Sequence, residues 1–237
     1  MYTVRLGCLG ADMDQLRKTA LVAGVLYLLT FVSIPTLALY GPVHEHGYIA
    51  GPGPDTGVLW GAVLEIIVAL AGIGTAVVLY PVVRKQNTAV ALGFVAARVL
   101  EAATIFSGVA CLLAVVSLRR AGAGADALVT GQALVALYDR AFLLGQSLMP
   151  AVNAGLLGWL LYRSRLVPRA LPLLGFVGAP LLLASTAATM FGALDRVSTL
   201  SGVAALPIAL WEFSLGVWLV VKGFRPSPIT ADADRKP

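Results

Sequence analysis

Arg98 and Glu101 lie three residues apart in the stretch FVAARVLEAAT, inside a long apolar segment of the chain. Further charged residues stand in other apolar segments: Glu65, Asp139, Arg140 and Glu212. A guanidinium can neutralise a buried carboxylate, whereas a carboxylate with no matching base holds a proton or a cation when it leaves water. Four carboxylates against two arginines therefore indicate one of two roles. They form either a structural polar cluster that fixes the packing of the helices, or a site for a proton, a cation or a small ligand.

The composition shows what kind of element must position these charges. Of the 237 residues, 59% are hydrophobic and 12% are charged, and the mean hydropathy is +0.87. Soluble domains carry about 25% charged residues, so this chain lacks the polar surface needed to face water. The net charge of +5 does not indicate a nucleic-acid partner, because the basic residues cluster in short segments between apolar runs. The composition predicts an integral membrane protein.

Six apolar runs are long enough to cross a bilayer, which takes about 20 residues per helix. We place the spans at residues 20–40, 57–80, 89–118, 131–162, 171–192 and 200–222. The predicted fold class is all-α: one domain over residues 17–224, a bundle of six transmembrane helices. Residues 1–16, with Met13 as a candidate start, are predicted to be a disordered extension, and residues 225–237 a disordered cytoplasmic tail.

Lysine and arginine in the flanking segments set the orientation of the bundle. With both termini inside, the outer segments hold three basic residues, Arg119, Arg120 and Arg196. The inner segments then hold twelve: Arg5, Arg17, Lys18, Arg84, Lys85, Arg163, Arg165, Arg169, Lys222, Arg225, Arg235 and Lys236. The predicted orientation is N-in/C-in, with anionic lipids as partners of the inner basic loops.

Glu65, Arg98, Glu101 and Glu212 fall at similar depth in this arrangement. At about 1.5 Å of rise per residue they lie roughly 12–20 Å above the inner boundary of the hydrocarbon core. Small residues accompany each glutamate at helical spacing, which is typical of close helix–helix contact in membranes. Charges at such depth cost about 2.5–3.5 kcal/mol each and usually face the bundle interior. We therefore predict that these four side chains form one buried cluster.

Span four supplies further candidates for the lining of that cluster. Asp139, Gln146 and Asn153 are seven residues apart and share one helix face, which Pro150 interrupts, and Arg140 stands beside them. The span is too long for one straight crossing. Asp139 is therefore also predicted to lie at the outer interface, where a charged side chain reaches water.

The sequence contains no recognisable catalytic set. The only histidines, His44 and His46, lie in a predicted outer loop, which removes the residues needed by a serine–histidine protease or a helix-bound haem. No P-loop or dinucleotide fingerprint is present. We predict no metal, no cofactor and no catalytic residue. An intramembrane enzyme that uses paired carboxylates is the least favoured class.

Five long segments carry a resemblance to known proteins: RKTALVAGVLYLLTFVSIP (17–35), LEIIVALAGIGTAVVLYPVVRKQN (64–87), ALGFVAARVLEAA (91–103), YDRAFLLGQSLMPAVNAGLLGWLLYRSRLVPRALPLLGFVG (138–178) and ALPIALWEFSLGVWLVVKGF (205–224). They resemble a bacterial family of small multi-pass membrane proteins, domain of unknown function 4386. The resemblance implies a six-helix domain in the cytoplasmic (inner) membrane and implies no activity.

The residues and the resemblance together predict a multi-pass inner-membrane protein of unknown function, for which an enzymatic role is less favoured than a structural or binding role. Its Glu/Arg cluster is structural or binds a small ligand, a proton or a cation. The alternative is a proton- or cation-coupled transporter of a small molecule.

Overall fold

The computed structural model describes residues 2–51 and 53–231, with side chains over residues 14–51 and 53–230. Within these residues every regular element is helical and there is no strand. The α-helices are α1 (Tyr2–Leu29), α2 (Thr36–Leu39), α3 (Thr56–Val83), α4 (Thr88–Arg120), α5 (Leu128–Phe142), α6 (Met149–Ser164), α7 (Ala170–Met190), α8 (Thr199–Val221) and α9 (Pro228–Ala231). The predicted all-α class is confirmed.

Six stretches are long and apolar enough to cross a membrane: Asp14–Leu39, Thr56–Val83, Thr88–Arg120, Gly124–Ser164, Ala170–Met190 and Thr199–Val221. Each coincides with one predicted span. Large apolar side chains such as Trp60, Leu92 and Val129 point outward and are more than half exposed, as expected for a surface that faces lipid. The outer surface of the bundle is therefore suited to contact with a lipid bilayer.

Two apolar cores lie at opposite ends of the bundle. The larger core joins all six spans and contains Tyr27, Phe94 and Trp211. The smaller core, around Tyr40 and Tyr138, lies at the end where the α2–α3 and α4–α5 connections run. Arg98 contacts Tyr27 of the larger core, and Glu65 contacts Tyr40 and Tyr138 of the smaller core, so these charged side chains lie between the two. A third core, around Ala69, Ala102 and Ile105, joins α3 and α4 beside them.

The first span is broken near its end. A 3₁₀ turn over Thr30–Ser33 separates α1 from α2, and Pro35, which has no N–H to donate, follows that turn. The Thr36 hydroxyl donates to the Ser33 carbonyl at 2.6 Å, so a side chain satisfies a backbone group at the break.

The fourth span is broken as well. A π-helical segment, Leu143–Leu148, separates α5 from α6, and Pro150 follows it. Because proline has no N–H, it cannot donate to the carbonyl of Gln146 four residues earlier, and the helix widens there. The long fourth span is thus an interrupted helix, and its interruption turns Gln146 and Ser147 toward the bundle interior.

The structure differs from the sequence prediction at both ends of the chain. The backbone of residues 2–16, predicted to be disordered, is the beginning of α1; no proline interrupts it. After α8, the Arg225 N–H donates to the Leu166 carbonyl at 2.8 Å, and the Ser227 hydroxyl donates to the Ser164 carbonyl. These bonds hold residues 225–231 against the α6–α7 connection. Residues 232–237 of the predicted tail lie outside the described residues.

Candidate functional site

Arg98 is the centre of a buried ion-pair cluster. Its side chain is only 3% exposed, and its Nη1 lies 2.9 Å from Glu101 Oε2 on the next turn of α4. Its Nη2 lies 2.8 Å from Glu212 Oε1 on α8 and 3.3 Å from the Tyr27 hydroxyl on α1. The guanidinium also stacks over the ring of Tyr27 at 5.4 Å. One side chain therefore ties spans one, three and six together.

Asn153 extends this cluster to span four. Its Nδ2 donates to Glu101 Oε2 at 2.7 Å, so that oxygen accepts from both Asn153 and Arg98. Asn153 is 2% exposed and lies on α6, the helix that follows the π-helical segment. The structure thus brings four of the predicted residues together: Arg98, Glu101, Glu212 and Asn153.

The cluster is short of positive charge. Two carboxylates share one guanidinium, and each uses a single oxygen for that contact. Among the described residues, nothing donates to Glu101 Oε1 or to Glu212 Oε2. With all three groups ionised, the cluster has a net charge of −1.

A cavity of about 380 Å³ lies directly above this cluster. Arg98, Glu101 and Glu212 form its floor, and Arg196 and Ser198 of the α7–α8 connection line its other end. Both helix breaks contribute to the wall. The remaining wall alternates apolar groups and hydroxyls: Phe31, Ser33, Phe142, Ser147, Leu182, Ser185, Thr189 and Ile208. We call this space the central cavity.

Below the floor the bundle is closed. Phe94, Trp211 and Leu215 are each 1% exposed or less and belong to the larger apolar core. Glycines allow this close packing: a Cβ built on Gly24 of α1 would lie 2.7 Å from the Gly216 carbonyl of α8. The central cavity therefore extends from mid-bundle toward the end that carries the α7–α8 connection.

Four buried polar atoms around the cavity have no hydrogen-bond partner among the described residues. They are Arg98 Nε, Asn153 Oδ1, Thr186 Oγ1 and Arg196 Nη1, and Arg98, Thr186 and Arg196 line the cavity. Buried polar atoms without partners are rare, because each costs about 1–3 kcal/mol, and they often mark a place for water or a ligand.

Glu65 lies in a separate site. It is 1% exposed and accepts hydrogen bonds from Tyr40 (3.4 Å), Tyr138 (3.1 Å) and Gln146 Nε2 (3.0 Å). The sequence predicted one cluster, but on α3 the residue that faces Arg98 is Gly72, whose added Cβ would lie 3.9 Å from Arg98 Cδ. Seven residues separate Gly72 from Glu65, which is about 10 Å along a helix. The register of α3 against α4 thus keeps Glu65 from Arg98.

The end of the central cavity away from its floor carries a third charged group, which we call the mouth cluster. Asp139 Oδ1 lies 2.9 Å from Arg196 Nη2 and 3.1 Å from His44 Nε2. The Arg196 guanidinium stacks over Phe142 at 4.6 Å. Asp139 lies at this end with a partly exposed side chain, away from Arg98, and Arg140 is exposed. Neither of these two predicted lining residues touches the central cavity.

The contacts of His44 in the mouth cluster favour its charged form. Its Nδ1 lies 2.7 Å from the Tyr40 carbonyl, and its Nε2 faces the Asp139 carboxylate. Both partners only accept, so both ring nitrogens must donate, and an imidazole with two N–H groups is the imidazolium. The hydrogen bond to Asp139 raises the pKa of His44 above its usual value, against the opposing effect of burial.

The aromatic and loop members of these sites are not among the residues predicted from the sequence. Tyr27, Tyr40 and Tyr138 all place hydroxyls on the buried charges. A tyrosine within an apolar span needs a partner for its hydroxyl, and that signal was present in the sequence. Arg196 and His44 gave no such signal, because a loop residue's partner depends on the tertiary fold.

Six membrane-length helices with an outward apolar surface define an integral multi-pass membrane protein, whose environment is a lipid bilayer. The model of one protein family, described as Domain of unknown function (DUF4386), matches residues 22–223, and the chain belongs to that family. The family expected from the sequence is therefore confirmed. No curated protein and no solved structure matches the chain.

No group of three or more histidine, cysteine, aspartate or glutamate side chains within the described ranges is arranged to hold a metal ion. The polar groups that line the central cavity are two carboxylates (Glu101 and Glu212), two guanidinium groups (Arg98 and Arg196), the Gln146 amide and a set of hydroxyls.

Proposed function

We propose that the central cavity binds a small amphiphilic cation, an amine or guanidine attached to an apolar body. The observation that carries this proposal is the charge imbalance at the cavity floor, where Glu101 and Glu212 share the one guanidinium of Arg98. The positive group of the ligand would lie against the two carboxylates, and its apolar body would extend toward the mouth cluster.

Electrostatics favour a cation over an anion at this floor. A net charge of −1 at the centre of a bundle in a bilayer is unfavourable, because little water is present to screen it. A ligand with one positive charge neutralises it. The free oxygens, Glu101 Oε1 and Glu212 Oε2, can each accept one of its N–H groups.

The walls favour an amphiphilic body over a hydrated inorganic ion. The cavity volume of about 380 Å³ is within the range of small-molecule pockets, about 300–1,000 Å³. Phe31, Phe142 and Leu182 give an apolar surface, while the Thr186 hydroxyl, which has no partner among the described residues, offers a polar contact on the wall.

Binding by the purified protein in a neutral detergent tests this proposal. The probes are an arylalkyl amine, the alcohol of the same shape and the matching carboxylic acid, compared by titration calorimetry. We expect the amine to bind and the acid not to bind. Glu212→Gln should weaken amine binding at least about tenfold, the loss of one charge-assisted hydrogen bond of about 1.5–3 kcal/mol.

Glu45→Gln is the matched control, since it makes the same chemical change at an exposed loop residue. It should leave amine binding unchanged. Equal binding of the amine and the acid, or equal affinity in the wild type and Glu212→Gln, would rule out a cation site at this floor.

A specific observation favours a second candidate, a proton- or cation-coupled transporter. Two interrupted helices line the central cavity, and interrupted helices beside a cavity are a recurrent feature of transporter binding sites. The cavity also reaches one end of the bundle and is sealed by the apolar core at the other. In this role Glu212 or Glu101 carries the coupling ion.

Proteoliposomes with an internal pH dye separate binding from transport. In the transport case, adding the amine outside changes the internal pH for the wild type and for Glu45→Gln, and the signal is lost in Glu212→Gln. Amine binding without any pH change or amine uptake would leave the protein as a binding protein.

We further propose that residues 17–224 form the membrane domain, with both termini inside a bacterial cytoplasmic membrane. The excess of lysine and arginine at one end of the bundle supports this orientation. The central cavity then opens to the outside. No described group supports a reaction, so we propose no enzymatic role.

A further inference from the structure

A recess of about 430 Å³ lies at the opposite end of the bundle from the mouth cluster, where α6 and α8 end. Arg165, Val167, Arg169, Arg225 and Pro226 line it. We propose that this recess, the arginine cradle, binds the phosphate group of an anionic membrane lipid. This inference is independent of what the central cavity binds.

The backbone that forms the cradle is fixed by tertiary contacts. The Arg225 N–H donates to the Leu166 carbonyl at 2.8 Å, and the Ser227 hydroxyl donates to the Ser164 carbonyl. Leu166 and Val167 are fully buried beneath it. The α6–α7 connection and the segment after α8 therefore form one surface, although they are far apart in sequence.

The three arginines are positioned in different ways. Arg165 has a left-handed backbone conformation, φ 59°, and its N–H caps α6 by donating to the Leu161 carbonyl at 3.0 Å. The guanidinium of Arg169 stacks over Tyr162 at 4.8 Å, and that of Arg225 stacks over Trp218 at 5.0 Å. Stacking uses the face of a guanidinium and leaves the N–H groups on its edge free to bind an anion.

These positive charges have no acidic partner among the described side chains. No carboxylate whose side chain the structure describes lies within ion-pair distance of Arg165, Arg169 or Arg225. At this end of the bundle Asp14 is the one acidic residue with a described side chain. Three converging, unpaired guanidinium groups match a phosphate, which accepts paired hydrogen bonds from arginine.

The aromatic partners favour a lipid as the source of that phosphate. Three aromatic rings stack with arginines at the ends of spans four and six. Tyr162 and Trp218 stack with Arg169 and Arg225 of the cradle, and Trp159 stacks with the neighbouring Arg163 at 6.0 Å. Tryptophan and tyrosine concentrate at the level of lipid headgroups. The cradle is therefore at the depth where a headgroup phosphate lies.

Native mass spectrometry of the full chain in detergent micelles tests the site, because single bound lipids are counted without a membrane surface potential. The probes are phosphatidylglycerol, phosphatidylcholine and inorganic phosphate. We expect one tightly retained phosphatidylglycerol on the wild type. The variant Arg165→Gln/Arg169→Gln/Arg225→Gln should retain it at least about tenfold less, because it removes every charge-assisted hydrogen bond from the cradle to the phosphate.

The matched control is Lys18→Gln/Arg84→Gln/Lys85→Gln, which removes the same charge from exposed residues at the same end of the bundle. It should retain the lipid as the wild type does. Thermal unfolding without lipid checks that both variants fold alike. Equal loss in both variants would mean diffuse charge attraction, and displacement of the lipid by millimolar inorganic phosphate would mean a site for free phosphate; either result overturns the proposal.

Discussion

Arg98 on α4 and Glu212 on α8 are joined by a direct ion pair of 2.8 Å across the floor of the central cavity. α4 packs chiefly on α3, α5 and α6, whereas α8 packs on α7 and α1. The ion pair therefore connects two helices whose main packing partners differ. A ligand that competes for Glu212 at this floor would loosen that connection, which links occupancy of the cavity to the arrangement of the helices.

Removing Arg98 alone should be more harmful than removing the whole cluster. Arg98→Met leaves the buried Glu101 and the partly buried Glu212 carboxylates without a positive partner, which costs about 3–5 kcal/mol. Arg98→Met/Glu101→Gln/Glu212→Gln leaves no buried charge at the floor and should recover most of that stability. Unfolding by SDS in mixed micelles measures the difference.

Arg140→Met is the control for the loss of an arginine, because Arg140 is exposed on span four. It should be close to the wild type. If the single Arg98 variant and the triple variant unfold at the same SDS fraction, the two glutamates do not depend on Arg98 for their charge.

Glu65 should behave differently, because its three partners are neutral donors. Glu65→Leu leaves the hydroxyls of Tyr40 and Tyr138 and the amide of Gln146 without an acceptor, at about 1–3 kcal/mol for each unsatisfied group. Glu65→Gln keeps one acceptor oxygen and should lose less. Thermal unfolding in detergent ranks the two variants.

Adding Tyr40→Phe and Tyr138→Phe to Glu65→Leu removes two of the orphaned hydroxyls and should restore part of the lost stability. No recovery in this combined variant would mean that Glu65 acts through something other than these hydrogen bonds.

The spans could be predicted from the sequence because each apolar run alone is long enough to cross a bilayer. The grouping of Arg98, Glu101 and Glu212 could be predicted for a similar reason, since depth follows from counting residues along a helix. The position of Glu65 could not, because the register between α3 and α4 depends on which side chains fit beside Gly72.

The mouth cluster could not be predicted from the sequence either. His44, Asp139 and Arg196 come from three different connections or spans, and no pattern along the chain relates them. Pro150 indicates an interruption of span four. The sequence does not show which side chains the π-helical segment turns inward, because the directions of Gln146 and Ser147 depend on the width of the helix there.

The charge on His44 should make the stability of the mouth cluster depend on pH. The Asp139 hydrogen bond raises the pKa of His44 above about 6.5, its unfolded value, although the Arg196 charge opposes it. A raised folded pKa means that the stabilisation is complete below about pH 6.5 and is lost as pH rises through the folded pKa. Thermal unfolding from pH 5.5 to 9 should show the wild type more stable than His44→Gln at low pH, with the difference shrinking at high pH.

His46→Gln is the control for that experiment, since His46 is an exposed residue of the same loop. Its difference from the wild type should not change over this range. A constant difference between the wild type and His44→Gln at every pH would show that the Asp139 contact does not require the imidazolium.

The orientation of the bundle decides which compartment the central cavity faces, and single-cysteine labelling can determine it. In a background with Cys8→Ser and Cys111→Ser, cysteines are placed at Gly47, Ala121, Lys85 and Arg163, all of which are exposed. Because basic residues are retained on the inner side, a membrane-impermeant maleimide added to intact cells should label the first two positions and not the last two. All four should react after detergent is added, which confirms that each thiol is reachable. Labelling of Lys85→Cys and Arg163→Cys in intact cells, with Gly47→Cys protected, would reverse the topology and place the mouth cluster on the inner side.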